Sequence, residues 1–508
     1  MISKLIKKRF ILVAVLLIFL FITSKSYLNH VFFLDFADEE ENFLPGKYIL
    51  NGKKLYSDIF VQHQPTAYIA SGFIQKIVNP KTISALVKVH RFSIILWSAL
   101  WGIALTLRFG LPLFITVLIV ELAKISLLGN LFLAESLVIY PLVYLGSYII
   151  LIKNPKLIEL FFIGFLIAFV FYSLSPLWPL IIFISLSLCL RSRKRLREAL
   201  ILIVNFLFIT ILVFQFSSIK DYLINTIYIT LKYYLPLTKD FSGTFSPLQG
   251  FFAPILALLD VKNTHLIWVI KALSLVLLFN LFLLLKNNKK REVVLITIIL
   301  GLASIRYVKA RTELYGAFHM LPWFSLLTVY AIISSFQLFK LIKNGLIKSV
   351  NIILIIFVLS VAILQSRYTL FDTRNPETDL HVHYSPHYNY ADALRIMKKP
   401  NDTLFVAPVN MLIYWYSDIQ PVSKYIYFYE WMEKTALTQD IKRIFTKNPP
   451  TFLYCVDCKK SVINTFTNNY HQLKKSGNPS CLYIRQDKLI QLTENQIDKL
   501  RSLDFKVN

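Results

Sequence analysis

Long apolar runs fill the first two thirds of the chain. The first, 10–23, follows Lys4, Lys7, Lys8 and Arg9. Others lie near 84–107, 110–128, 131–152, 157–174, 176–190, 198–216, 264–286, 292–307, 317–337 and 349–365. A helix rises about 1.5 Å per residue, so about 17–25 apolar residues match a hydrocarbon layer of about 30 Å. The pattern predicts an α-helical polytopic membrane protein with about eleven spans. Gly129-Asn130 reads as a tight hairpin between two of them, and 249–260 as a re-entrant or interfacial stretch. No small-residue cleavage site follows the first run, where Ser24-Lys25-Ser26-Tyr27 stands, so that run reads as a signal anchor.

The polar positions between the runs set a direction. Lys153-Asn154-Pro155-Lys156 and the loops at 191–197, 286–291 and 340–348 are all basic. With the N-terminus in the cytoplasm all four fall inside, as the positive-inside rule requires. Residues 25–83, 217–248 and everything after 366 then face outward. The expected organisation is a membrane domain over 1–366, with a first outer loop at about 25–83, and an extracytoplasmic domain over 367–508 in a plasma (inner) membrane protein. All nine histidines fall outside or at outer helix ends.

After 366 the pattern changes. Segments 403–407, 451–456 and 481–485 read as short buried strands, and 390–397 and 438–445 as helices between them. This predicts a small α/β domain. Cys455, Cys458 and Cys481 lie in it, and an exported domain permits disulfides. Cys481 paired with Cys455 or Cys458 is the favoured pairing, and Cys189 reads as a packing residue in a span. His381, His383 and His387 read as part of a solvated linker rather than a metal site.

Composition sharpens this picture. The chain carries 55 Lys+Arg against 29 Asp+Glu, a net charge of +26. Such an excess commonly marks nucleic-acid binding. Here its position in the four loops accounts for much of it by orientation, and no nucleic-acid partner is expected. With 56% hydrophobic and 17% charged residues, a large soluble enzyme and a disordered chain are both excluded.

The first outer loop breaks the charge pattern. Asp35, Asp38, Glu39, Glu40 and Glu41 crowd together among Phe33, Leu34, Phe36, Phe43 and Leu44. A solvated acidic loop is the plain explanation, yet such a loop has no need of that aromatic content. G-x-x-L-Y-x-D at 52–58, then His63-x-Pro65 and Tyr68, follow. In this arrangement the loop resembles the first extracytoplasmic loop of polytopic GT-C glycosyltransferases, in the protein O-mannosyltransferase and aminoarabinose-transferase group. Arg306 with Phe318-His319-Met320-Leu321-Pro322 is similar to a late outer-loop element of such proteins.

The resemblance implies a GT-C-like fold and an inverting transfer of a sugar from a polyprenyl-phosphate carrier. The acceptor, on the extracytoplasmic face, would be a lipid, a protein or a cell-envelope glycan. A first-loop acid is the general base in that family. Carried over, it is Asp38 with Glu39 beside it, and Glu39 and the additional Asp35 stand as rivals. An acceptor hydroxyl is a poor nucleophile until a carboxylate takes its proton. The lipid-phosphate leaving group needs fixed positive charge, for which Arg306, Lys309, Arg311 and Arg91 are candidates; a snorkelling role is the alternative for Arg306. His63 can contact phosphate or acceptor, His319 is donor-side or structural, and Glu135 stands where the family has a second outer-loop acid. No cofactor is demanded, although clustered carboxylates can bind Mg²⁺ or Mn²⁺.

Two other classes compete. A flippase for lipid-linked glycan would place charges along a path inside the spans, where only Glu121, Lys124 and Lys271 stand out. A membrane-anchored scaffold leaves the acidic loop unexplained. Neither G-x-G-x-x-G, a P-loop nor H-E-x-x-H occurs, and no internal repeat suggests a transporter.

Overall fold

The computed structural model describes residues 2–152, 156–191, 195–238, 247–259, 266–304, 314–456, 458 and 462–506. The chain divides into two compact units, Met1–Val31 with His90–Leu212 and Ser242–Arg374, and Phe32–Val89 with Val213–Phe241 and Asn375–Asn508.

The first unit is helical. Among the described residues, seven helices are long and apolar enough to cross a membrane: Arg9–Asn29, Ile83–Phe109, Ala134–Leu151, Leu196–Val213, Ile267–Lys286, Ala317–Leu341 and Gly345–Arg367. Ala134–Leu151 is 89% buried over its most apolar stretch and Leu196–Val213 only 17%, which separates central from peripheral helices. The peripheral ones present bare apolar side chains such as Phe21 and Leu196, as a lipid-facing surface does. Four expected spans form shorter helices: Leu111–Lys124, Leu157–Phe171, Trp178–Arg191 and Lys290–Ala303. At 14 or 15 residues each covers only about 21 Å, so the expected count of eleven is not reached on length. The hairpin before Gly129-Asn130 forms as expected, with Leu128 in the left-handed region at φ 55°.

Polar groups inside this unit close on each other. Asn280 donates to the Ala331 carbonyl, Ser334 and Ser335 at 3.2, 3.0 and 2.7 Å. Buried Glu121 accepts from Tyr27 at 2.6 Å and from Tyr140, while Lys124 lies 3.4 Å from Glu121 and donates to Ser98. Lys271 sits over the Trp268 ring. The intramembrane charges that a flippase would need along a path are thus paired or capped locally.

The second unit combines helices and a sheet. Helices Ala37–Leu50 and Pro65–Val78 cross closely at Gly46 and Gly72. Strands β1 (Thr403–Ala407), β2 (Gln420–Pro421), β3 (Phe452–Cys455), β4 (Tyr470–Lys475), β5 (Asn478–Arg485) and β6 (Phe505–Lys506) form one sheet in the order β2-β1-β3-β5-β4-β6. β1 runs parallel to β2 and β3; the remaining pairs are antiparallel. Ser476-Gly477, both at positive φ, make the tight β4–β5 turn. The segment after 217 forms Ile219–Tyr222, which runs on as the wide helix Leu223–Tyr234.

Two expectations are corrected here. The histidine segment is not a linker but part of helix Pro376–Met397. Asn375 caps it by accepting from the Glu377 amide at 2.9 Å, Pro376 fits the first turn, and Pro386 is carried inside the helix. The disulfide joins Cys455 to Cys458, whose Cα atoms lie 5.4 Å apart, and Cys481 is not disulfide-bonded. β5 instead brings the Cys481 thiol against Tyr390.

Candidate active site

The acidic run stands at the start of a helix. Phe36 is extended, and its carbonyl accepts from the amides of Glu39 and Glu40 at 3.0 and 3.1 Å. Ala37–Leu50 then begins with Asp38, Glu39 and Glu40 in its first turn, where the macrodipole favours acids. Asn42 donates to the Asp38 carbonyl at 3.0 Å and tightens that turn. The five acids from Asp35 to Glu41 do not share one environment. Glu39, Glu40 and Glu41 are buried, whereas Asp38 and Asp35 keep partial access to solvent.

Glu41 is enclosed by tyrosines. Tyr429 donates its hydroxyl to Oε1 at 2.5 Å, and Nε2 of half-exposed His63 lies 3.4 Å from Oε2. Burial first, and the Glu41 carboxylate next, push the phenols of Tyr68, Tyr427 and Tyr429 well above their ordinary range. They stay protonated, and Tyr429 acts as the donor. The rest of the loop pattern holds this arrangement in place. The Tyr56 hydroxyl donates to the His63 carbonyl at 2.9 Å, and Tyr222 donates to Gln64 at 2.8 Å. Asp58 accepts from the Lys54 amide at 2.8 Å and is a turn former, and Pro65 starts its helix.

Glu40 faces the other way. Its Oε2 accepts from the Met411 amide at 3.1 Å, and its Oε1 lies 3.8 Å from Nε2 of His387. That nitrogen is also 2.6 Å from Oδ2 of Asp35, while Nδ1 of His387 is 2.9 Å from Oδ1 of Asn410. Burial, and then the Asp35 carboxylate, push the Glu40 carboxyl well above the usual carboxylate range.

In the first unit, Glu135 is buried in the first turn of Ala134–Leu151 and pairs with Nδ1 of His319 at 3.0 Å. Arg91 is buried, with Nη1 donating to the Val31 carbonyl at 2.9 Å. Arg306, Lys309 and Arg311 lie outside the described residues. The structure therefore groups Asp35, Asp38, Glu39 and His63 in the second unit, and pairs Glu135 with His319 in the first. Sequence reasoning missed Tyr429, Asn410 and His387. For His387 a signal existed: the Asn375-Pro376-Glu377 helix start, which makes the histidines helical.

No protein-family model matches the chain, and no curated protein matches its sequence. Among solved structures it is similar to ArnT from Cupriavidus metallidurans bound to undecaprenyl phosphate, with a TM-score of 0.50 and 11% identity, covering 93% of this chain and 96% of that one. ArnT in the apo state aligns over the same shares with a TM-score of 0.49 and 10% identity. Over that length the chain has the fold of ArnT, a GT-C-like polytopic fold with a small C-terminal sheet.

Proposed function

We propose that the chain is a GT-C-type glycosyltransferase that moves a sugar from a polyprenyl-phosphate carrier to an acceptor on the extracytoplasmic face. It would work in the inner membrane with its N-terminus in the cytoplasm. The observation that carries this reading is the shared fold along 93% of the chain with a protein solved with undecaprenyl phosphate bound. The first-loop pattern adds to it independently, because its residues lie in ordered, largely buried structure and not in a solvated loop.

Asp38 is the base in this reading. Of the first-turn acids it alone combines partial access with a helix-fixed position; Glu39 is buried, and Asp35 is committed to His387. The deprotonated Asp38 takes the proton of the acceptor hydroxyl as that oxygen attacks the anomeric carbon on the face opposite the phosphate. The carbon–oxygen bond to the lipid phosphate breaks, the configuration inverts, and the phosphate leaves as a stable anion. Arg306, Lys309 and Arg311 are the proposed phosphate contacts. Arg91 is a further proposed phosphate contact, His319 is proposed for the donor side, Glu135 is the second candidate acid, and His63, 3.4 Å from Glu41, is proposed for acceptor or phosphate. A flippase is the second reading, and the local closure of Glu121, Lys124 and Lys271 weighs against it.

The test is transfer from a panel of polyprenyl-phosphate sugars in nanodiscs. Loss of a general base lowers kcat about 10²–10⁴-fold, and Asp38→Asn is expected to fall in that range. Unchanged turnover in Asp38→Asn removes it as base. No transfer from any donor, together with lipid scrambling, favours the flippase.

A further inference from the structure

We propose that Asp35, Glu40 and His387 bind a divalent transition-metal ion, Zn²⁺ or Mn²⁺. The proposal does not depend on the transfer reaction. One donor atom from each of the three residues lies within 4.8 Å of the others, with His387 and Glu40 buried and Asp35 partly open. The donors come from the turn before helix Ala37–Leu50, from that helix and from helix Pro376–Met397.

Two of the three donors are oriented from behind. Asn410 caps helix Met411–Ser417, and its Oδ1 accepts from the Ile413 amide at 3.2 Å. An amide nitrogen cannot accept, so this bond fixes Oδ1 as the atom that faces Nδ1 of His387 at 2.9 Å. Nδ1 must then carry a hydrogen, and in the neutral ring Nε2 is left as a lone pair facing the two carboxylates. A histidine held by its other nitrogen in this way is the usual arrangement of a metal ligand. Glu40 is held likewise: Oε2 accepts from the Met411 amide, and Oε1 faces Nε2 of His387 at 3.8 Å. Helix Met411–Ser417 thus orients both ligands from its first turn.

The donor set selects the ion. One imidazole nitrogen with two carboxylate oxygens suits Zn²⁺ or Mn²⁺; Mg²⁺ prefers oxygen donors and keeps its waters. This changes the expectation of Mg²⁺ or Mn²⁺ read from the acidic run alone. With bonds of about 2.0–2.2 Å to zinc, donor atoms sit about 3.3–3.6 Å apart. The Glu40–His387 separation is close to this. The Asp35–His387 contact of 2.6 Å is a hydrogen bond that must open by about 0.8 Å as the ion replaces the shared proton. Three protein ligands leave a fourth position for water or another oxygen donor.

The test uses the full chain in detergent, stripped with a chelator and titrated with Zn²⁺, Mn²⁺ or Mg²⁺. Bound metal is measured by mass spectrometry and thermal unfolding is followed in parallel. The expected result is one Zn²⁺ or Mn²⁺ per chain and a rise in unfolding temperature that Mg²⁺ does not reproduce. His387→Ala and the milder Asp35→Asn should each weaken binding at least tenfold, while His381→Ala, on an exposed stretch of the same helix, should not. Absence of saturable binding overturns the proposal and leaves the Asp35–His387 contact as a structural hydrogen bond. Equal binding of Mg²⁺, or binding untouched by both ligand variants, overturns it as well.

Discussion

The hydroxyl of Tyr429 reaches the buried carboxylate of Glu41 at 2.5 Å, across 388 positions of sequence. A buried carboxylate that loses a hydrogen-bond donor keeps its desolvation cost, about 1–3 kcal/mol or more for a charged group. Tyr429→Phe is therefore expected to lower the unfolding free energy by about that amount. Glu41→Gln, which removes the charge and keeps the shape, should be milder. Thermal unfolding of the two variants in the same detergent checks the order; equal loss contradicts it.

The acidic helix is placed by a close crossing of backbones. A Cβ added at Gly46 would lie 2.7 Å from Oγ of Ser71 and 2.8 Å from the amide nitrogen of Gly72. The second contact is backbone and cannot rotate away. Gly46→Ala is expected to cost about 1–3 kcal/mol by overpacking. Because it shifts the helix that carries Asp38, it should also reduce transfer in the assay for Asp38→Asn. Ser71→Ala, which leaves the crossing intact, serves as the comparison, and wild-type stability in Gly46→Ala would refute the close crossing.

Much of the second unit is legible in sequence, and the rest is lost for physical reasons. Strand 403–407 and the helix at 438–445 announce themselves by apolar runs and flanking turn residues, and both form. β4 does not, because Tyr470, His471, Gln472, Lys474 and Lys475 give it a largely polar face. The acidic run at 35–41 is visible from composition alone. Its partners are not: His387 is 352 positions from Asp35, and nothing local in either segment names the other. Pro386 hid the helix between 376 and 389, since an interior proline ordinarily reads as a break.

Cys481 provides a pH test of the cysteine assignment. Burial pushes its thiol above the ordinary range, opposed in part by a hydrogen bond with Tyr390. The thiolate is the reacting form. A raised pKa means less thiolate at neutral pH, so alkylation of Cys481 should be slow there. Its rate should still be climbing at pH values where an unperturbed cysteine, with pKa about 8.5, has levelled off. Peptide mapping without reductant should show Cys455 and Cys458 unlabelled and Cys481 labelled slowly. Rapid labelling of Cys455 under those conditions contradicts the disulfide.

Asn410 does two jobs that substitution can separate. Its oxygen caps Met411–Ser417 through the Ile413 amide and accepts from Nδ1 of His387. Asn410→Ala removes both, and loss of the cap alone costs about 0.5–2 kcal/mol. Asn410→Ser keeps a capping oxygen on a shorter side chain that does not extend to the imidazole. It should therefore retain most of the metal-free stability and lose metal affinity about 10–100-fold, the usual effect of removing a group behind a ligand. Asn410→Asp keeps both acceptor functions and adds a negative charge behind His387, so its affinity should equal or exceed that of the wild type. Unfolding temperatures with and without Zn²⁺ across the three variants give the answer. If serine and asparagine bind the ion equally, the Asn410 contact does not orient His387.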